Sequence, residues 1–193
     1  MSEYSSIPDT KIHIGTVRGN MLKLISEIAF RADTHDKTKM SPEEVKYFDE
    51  YTPKLAGCSY GSDEYKQYLS ALKPALDHHY SVERHHPEHF ENGIRGMNLV
   101  DLIEMFCDWY AATLRHSDGD LLKSLEINQK RFGYSDDLKA ILENTYKEIF
   151  WCHECDYQVC REIPSTCRRT SPGKEYVEDR QKNAVKKNGG KDE

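Results

Sequence analysis

The chain has 193 residues, 37% apolar and 31% charged, with nine histidines, six cysteines and a formal net charge of -6. This length supports one domain whose core does not depend on disulfides, and no run of about 18 apolar residues offers a membrane span. The acidic balance argues against long nucleic acid or an anionic membrane as partner, and the polar opening MSEYSSIPDT lacks the form of a secretory signal. A cytoplasmic protein with reduced thiols is the expectation. Homo-oligomer formation is left open.

The first helix is predicted over about residues 13–30, where Ile14, Val17, Met21, Leu24 and Ile28 recur at helical spacing. A polar break, RADTHDKTKM, follows. Ser41-Pro42-Glu43-Glu44 then reads as a helix start. Serine caps, proline suits the first helical position, and glutamate three residues on completes a capping box. That helix carries Val45 and Phe48 and is expected to stop before Pro53. The stretch AGCSYGSDE reads as a loop. The next helix places Tyr65, Leu69, Leu72, Leu76 and His79 on one stripe, with a kink expected at Pro74.

After Pro87 the chain loops through ENGIRGMN into a long helix over about residues 99–115. Its apolar face is Leu99, Leu102, Ile103, Phe106 and Tyr110. Helices at about 119–131 and 136–150 complete the series, with Ser135 as a cap for the last. No strand alternation stands out. The expectation is an all-α bundle of six to seven helices over residues 1–150. Residues 151–193 then form a cysteine-containing segment that grades into a disordered charged tail.

Metal-capable residues recur in a definite order: His13, His35-Asp36, His78-His79, His85-His86 and Asp108. Five histidines fall between residues 78 and 89. Adjacent His and Asp supply a neutral nitrogen and a hard oxygen that can bridge two ions. At about 100° per residue, His13 shares the stripe of Val17, Leu24 and Ile28 and is expected to face the interior. His79 shares the stripe of Leu69, Leu72 and Leu76, and His86 joins it if the helix persists. His79 and His86 are therefore preferred as ligands over His78 and His85, with His85 a second contact to the metal ligands or to phosphate. Asp108 points away from its helix's apolar face, on a narrow polar stripe with Asp101 and Arg115; Asp101 is the substitute ligand. A bland reading stands beside each: a satisfied core histidine, a solvated histidine-rich turn, a charged helix face.

The order His … His-Asp … Asp on an all-α chain resembles the HD superfamily of metal-dependent phosphohydrolases. His35-Asp36-Lys37-Thr38-Lys39 is similar to its HD-x-x-K turn, although Thr38 replaces the usual glycine. The resemblance implies an HD-like bundle with one or two divalent ions (Mn, Co, Ni, Zn, Fe or Mg) on His13, His35, Asp36, His79, His86 and Asp108. It implies catalytic roles for Asp36, Lys39 and His85, and contacts from Arg18, Lys39 and Arg115 to a small phosphorylated substrate, a nucleoside monophosphate being the first to test. HDKTKMSPEE and HHYSVERHHPEH also resemble motifs of an uncharacterised family of small phage and bacterial proteins, which carries no activity over. Two alternatives are a di-iron oxygenase on the same fold and a non-enzymatic, metal-stabilised binding module of phage origin. No glycine-rich phosphate loop is present. Separately, Cys152, Cys155, Cys160 and Cys167 can form a zinc site, against the plainer reading of thiols packed on the core.

Overall fold

The computed structural model describes residues 4–58, 62–114, 119–152 and 157–158. The chain divides into two units, Met1–Glu143 and Asn144–Glu193. Six α-helices are present among the described residues: α1 (Ile7–Thr34), α2 (Val45–Ala56), α3 (Asp63–Val82), α4 (Leu99–Thr113), α5 (Leu121–Phe132) and α6 (Asp136–Thr145). The protein is an all-α helical bundle, as its periodicity predicts. The helix expected to reach Phe150 is α-helical only to Thr145 and continues as one π-turn, Tyr146–Phe150. Two residues of β1 (Trp151–Cys152) then pair antiparallel with two of β2 (Tyr157–Gln158). Strands this short leave no alternation to read in sequence. The expected charged tail, with Cys155, Cys160 and Cys167, lies outside the described residues.

Local sequence explains most helix ends. Ser62 Oγ accepts the Tyr65 N–H at 3.1 Å and starts α3. Asn98 and Asp101 form a reciprocal capping box on α4. Asp120 caps α5 through the Leu122 and Lys123 N–H groups. Gly133, left-handed at φ 66°, closes α5 by donating its N–H to the Gln129 carbonyl. Ser135 Oγ accepts the Leu138 N–H at 3.2 Å, as expected of a cap.

Two boundaries differ from expectation. Ser41–Glu44 form a turn, and α2 begins only at Val45. Glu44 does not reach back to the cap, because its side chain is wholly buried against two histidines. Pro53 lies inside α2 and Pro74 inside α3 without ending either helix.

The core of the first unit joins Leu72 and Ala75 of α3, Val100, Met105, Phe106 and Tyr110 of α4, and Leu121 and Leu125 of α5. α2 packs on α3, and α4 touches both α1 and α5. The α1 stripe does not enter this core. Ile14, Val17, Met21 and Leu24 are exposed, and no residue of α1 is buried. Periodicity reports that a helix has an apolar face; it does not report which surface covers that face.

Candidate metal centre

The site is assembled where α1 ends. Thr34 is the last helical residue, and the His35 N–H still donates to the Arg31 carbonyl while its own backbone turns extended. Asp36 is left-handed at φ 57°, the one described non-glycine residue at positive φ. Aspartate tolerates this conformation better than most residues, at a small cost in strain. The reversal sends His35 and Asp36 from adjacent backbone positions toward one place, at the negative end of the α1 dipole.

α3 delivers His79 in its last turn, and the helix then stops at Val82. Glu83 is already extended at φ -84°, ψ 114°, and His86, which precedes Pro87, is extended again at φ -94°, ψ 127°. The expected seven-residue stripe from His79 to His86 is therefore not a helix stripe. The turn after α3 still brings the two rings together, with Nε2 to Nε2 at 3.0 Å. It also buries His85 completely.

α4 supplies the acids. Glu104 and Asp108 lie four residues apart and share a face. Three overlapping groups have ligand atoms within 4.8 Å of one another: Asp36, His79, His85 and His86; His35, His85 and Glu104; and His35, Asp36 and Asp108. Each group can hold a metal ion, and Asp36, His35 and His85 link them.

Outer carboxylates set the direction of the rings. Glu44 Oε2 lies 3.2 Å from His79 Nδ1, and Thr38 Oγ1 lies 2.8 Å from the same nitrogen. Glu104 Oε1 lies 3.0 Å from His35 Nδ1. With the Nδ1–H groups donating to these carboxylates, the neutral rings present Nε2 lone pairs on the other side. His79 Nε2 is 3.2 Å from Asp36 Oδ1. His35 Nε2 is 3.4 Å from Asp36 Oδ2 and 3.8 Å from Asp108 Oδ1. His85 Nε2 is 3.5 Å from Asp36 Oδ1 and its Nδ1 3.2 Å from Glu104 Oε1, yet neither nitrogen makes an aligned hydrogen bond. Asp36 Oδ1 is likewise buried without one. Lone pairs facing a carboxylate oxygen repel unless a proton or a cation lies between them. The donor set and these unsatisfied atoms fit a divalent ion.

The titration behaviour follows from the same packing. His86 is pushed down to about 2, first by burial and then by the neighbouring His85, His79 and Lys39, against the pull of Asp36. It is thus a neutral imidazole at physiological pH, the form that ligates. His35 is raised, chiefly by its hydrogen bond to Glu104 and, against burial, by the charges of Asp36, Asp108 and Glu104. For Asp36, burial works upward, but the His79 ring and the Lys39 ammonium outweigh it and hold the carboxyl well below the usual range. Glu104 is also held low, burial being outweighed by His35, His85 and Arg31.

Of the residues expected at the site, the structure brings together His35, Asp36, His79, His85, His86 and Asp108. Lys39 joins them, its Nζ 2.6 Å from Asp36 Oδ2. His85 is in a ligand position rather than behind one. His78 instead turns to Glu44 Oε1 at 2.7 Å and belongs to no ligand group. His13 must be corrected: it is exposed on α1. At about 1.5 Å per residue it stands roughly 30 Å from His35. Arg18, also exposed on α1, is roughly 25 Å away by the same rise and cannot contact a substrate there. Arg115 lies outside the described residues. Asp101 is no substitute ligand: it is wholly buried, and its oxygens accept from Arg31 at 2.6 Å, Arg84 at 2.8 Å and the Asn98 N–H at 2.9 Å. Glu44 and Glu104 were not among the expected residues. Glu104 sits three residues after Asp101 and four before Asp108, so its place on that polar face was readable. Glu44 was obscured by its plausible role in a capping box.

Fold and side chains together define an all-α protein with a largely buried cluster of imidazoles and carboxylates capable of holding a metal. The chain belongs to a family of unknown function, DUF5662, whose sequence pattern matches residues 2–148. Neither the curated proteins nor the solved structures yield a match.

Proposed function

We propose that this chain is a metal-dependent phosphohydrolase acting on a small phosphorylated metabolite, with a nucleoside monophosphate as the first substrate to test. The observation that carries the reading is the aim of His35 and His79. Each is held at Nδ1 by a carboxylate, and each presents Nε2 to Asp36. Histidines that merely fill a core have no need of this arrangement. From His35-Asp36 to Asp108 the order along the chain also resembles that of the HD phosphohydrolases, although His13, the first histidine of that order, does not reach the site.

His35, Asp36, His79, His85, His86 and Asp108 are the residues that would hold one or two divalent ions. A bound ion supplies positive charge for phosphoryl oxygens and makes water acidic enough to serve as nucleophile near neutral pH. Lys39 orients Asp36 and adds a cation at the partly open side of the cluster, suited to a phosphate oxygen. Arg84, engaged with Asp101, is a structural cation.

The test is elemental analysis of the purified chain, followed by a phosphate-release screen over nucleoside monophosphates with Mn²⁺, Co²⁺, Ni²⁺ and Mg²⁺. His35→Ala and Asp36→Ala are expected to lose bound metal and turnover together. Wild-type metal content and turnover in both variants would overturn the assignment. Bound iron with an optical band and no phosphate release would instead favour dioxygen chemistry on the same ligands.

A further inference from the structure

Residues 4–27 are all exposed, and among the described residues nothing covers the apolar side chains of α1 over that stretch. We propose that this part of α1 pairs in parallel with α1 of a second copy of the chain, forming a two-stranded coiled coil. Ile7, Ile14, Val17, Met21, Leu24 and Ile28 fall at alternating core positions of a seven-residue repeat, with Thr10 filling the remaining place. The repeat ends where α1 docks on α4, since the next core position is Arg31, bound to Asp101 and Glu104. The seam is thus free over three turns of the repeat and then hands over to the bundle.

The sequence commits the seam to a copy of itself. One set of core positions holds Ile7, Ile14, Met21 and Ile28; the other holds Thr10, Val17 and Leu24. Isoleucine at three of the four places in the first set, with Leu24 in the second, favours two parallel strands, while Thr10 and Val17 add little to that preference. Flanking residues agree. Parallel pairing sets Lys11 and Arg18 of one copy opposite the Ser6 and His13 positions of the other, five residues earlier, and Ile25 opposite the Asn20 position. No two fixed charges of like sign then meet along the seam. Antiparallel pairing would instead lay the edge that carries Lys11 and Arg18 against the same edge of the second copy.

The helix also needs a partner. Gly15 and Gly19 lie within it, with open space where a Cβ would stand. Each costs about 1 kcal/mol of helix stability relative to alanine, and helices in proteins draw most of their stability from packing an apolar face, which α1 lacks over this stretch among the described residues. The seam residues Ile7, Ile14, Val17, Met21 and Leu24 are between 42% and 62% exposed. With Ile25 beside them they offer roughly 600 Å² of apolar side chain, close to the roughly 800 Å² per partner of a standard stable interface once flanking stems are added.

Sedimentation equilibrium on the full chain is expected to give a dimer at about 10 µM. Ile14→Asp combined with Met21→Asp places carboxylates in the seam and is expected to weaken pairing by on the order of 100-fold or more. Ile12→Asp, on the opposite face, is expected to leave the dimer intact. Far-ultraviolet circular dichroism verifies that the bundle persists in each variant. Independently of those variants, Ile7→Cys is expected to give a disulfide between two copies on mild oxidation, located by peptide mass mapping, because parallel pairing puts both Ile7 positions side by side. A wild-type monomer, with α1 covered by residues 144–193 of its own chain, overturns the proposal. So does a dimer that survives the paired aspartates, a larger homo-oligomer, or failure of the Ile7→Cys cross-link. None of these readouts depends on metal or phosphatase activity, so the pairing and the hydrolase reading fail separately.

Discussion

Replacing Glu44 by glutamine keeps the volume of a wholly buried side chain and removes the charge that His78 and His79 share. Glu44 Oε1 is 2.7 Å from His78 Nδ1 and Oε2 is 3.2 Å from His79 Nδ1. A glutamine has one acceptor and one NH₂ group for these two positions. If the NH₂ faces His79, that ring must move its proton to Nε2, which is the nitrogen aimed at Asp36. Loss of an outer carboxylate of this kind costs about 10- to 100-fold in metal affinity. Thr38 Oγ1, only 2.8 Å from His79 Nδ1, can still accept the proton there and limits the loss. We therefore expect about 10-fold for Glu44→Gln and about 100-fold for Glu44→Gln with Thr38→Val, or roughly 1.4 and 2.7 kcal/mol. Competition against a fluorescent chelator, titrated with Mn²⁺ or Zn²⁺, measures both. An affinity unchanged within about threefold in the folded double variant would refute the idea that outer groups aim His79.

Further outcomes are expected elsewhere in the fold. Asp101→Ala leaves Arg31 with Glu104 alone, frees Arg84 and removes the capping box of α4, so thermal unfolding should show a loss of about 2–3 kcal/mol; a loss under about 1 kcal/mol would refute this structural role. Metal affinity should fall as pH drops toward and through the ordinary histidine value of about 6.5. The raised His35 keeps its proton to higher pH and must lose it to ligate, whereas His86, neutral down to about 2, offers no competition there. An affinity flat between about pH 8 and 6 would contradict that ordering. Tyr134 is pushed up to about 12, first by burial and then by Glu143, and its neutral hydroxyl donates to the Leu125 carbonyl. Its folded value lies above its unfolded value of about 10. That contribution to stability is therefore complete below about pH 10 and lost as pH rises through 12. In alkaline unfolding curves, Tyr134→Phe should flatten this limb.

Particular residues show how far the sequence could be read. The six α-helices were visible because apolar spacing and capping residues are local properties. Ser135 caps as expected, Ser41 does not, and Ser62, Asn98 and Asp120, not among the expected caps, likewise act within three residues of their own positions. The α3 stripe favoured His79 over His78, and it is His79 that stands 3.2 Å from Asp36 while His78 turns to Glu44. The same reasoning added His86 to the stripe if the helix persisted, and α3 stops at Val82 with Glu83 extended. His13 failed for a different reason: it sits on an apolar stripe, but that stripe faces outward. Glu44 was assigned a local role and performs a distant one, 35 residues from His79.

From sequence alone came the helix pattern and the chemical types gathered at the site, because backbone hydrogen bonding and side-chain periodicity act over a few residues. Tertiary structure decided which imidazoles meet Asp36, which acids stand behind them, and that Asp101 is neutralised by Arg31 and Arg84. Those outcomes depend on where α1, α3 and α4 come together in three dimensions. A change of a few ångströms there separates a ligand from a salt-bridge partner, and residue spacing along the chain does not encode that distance.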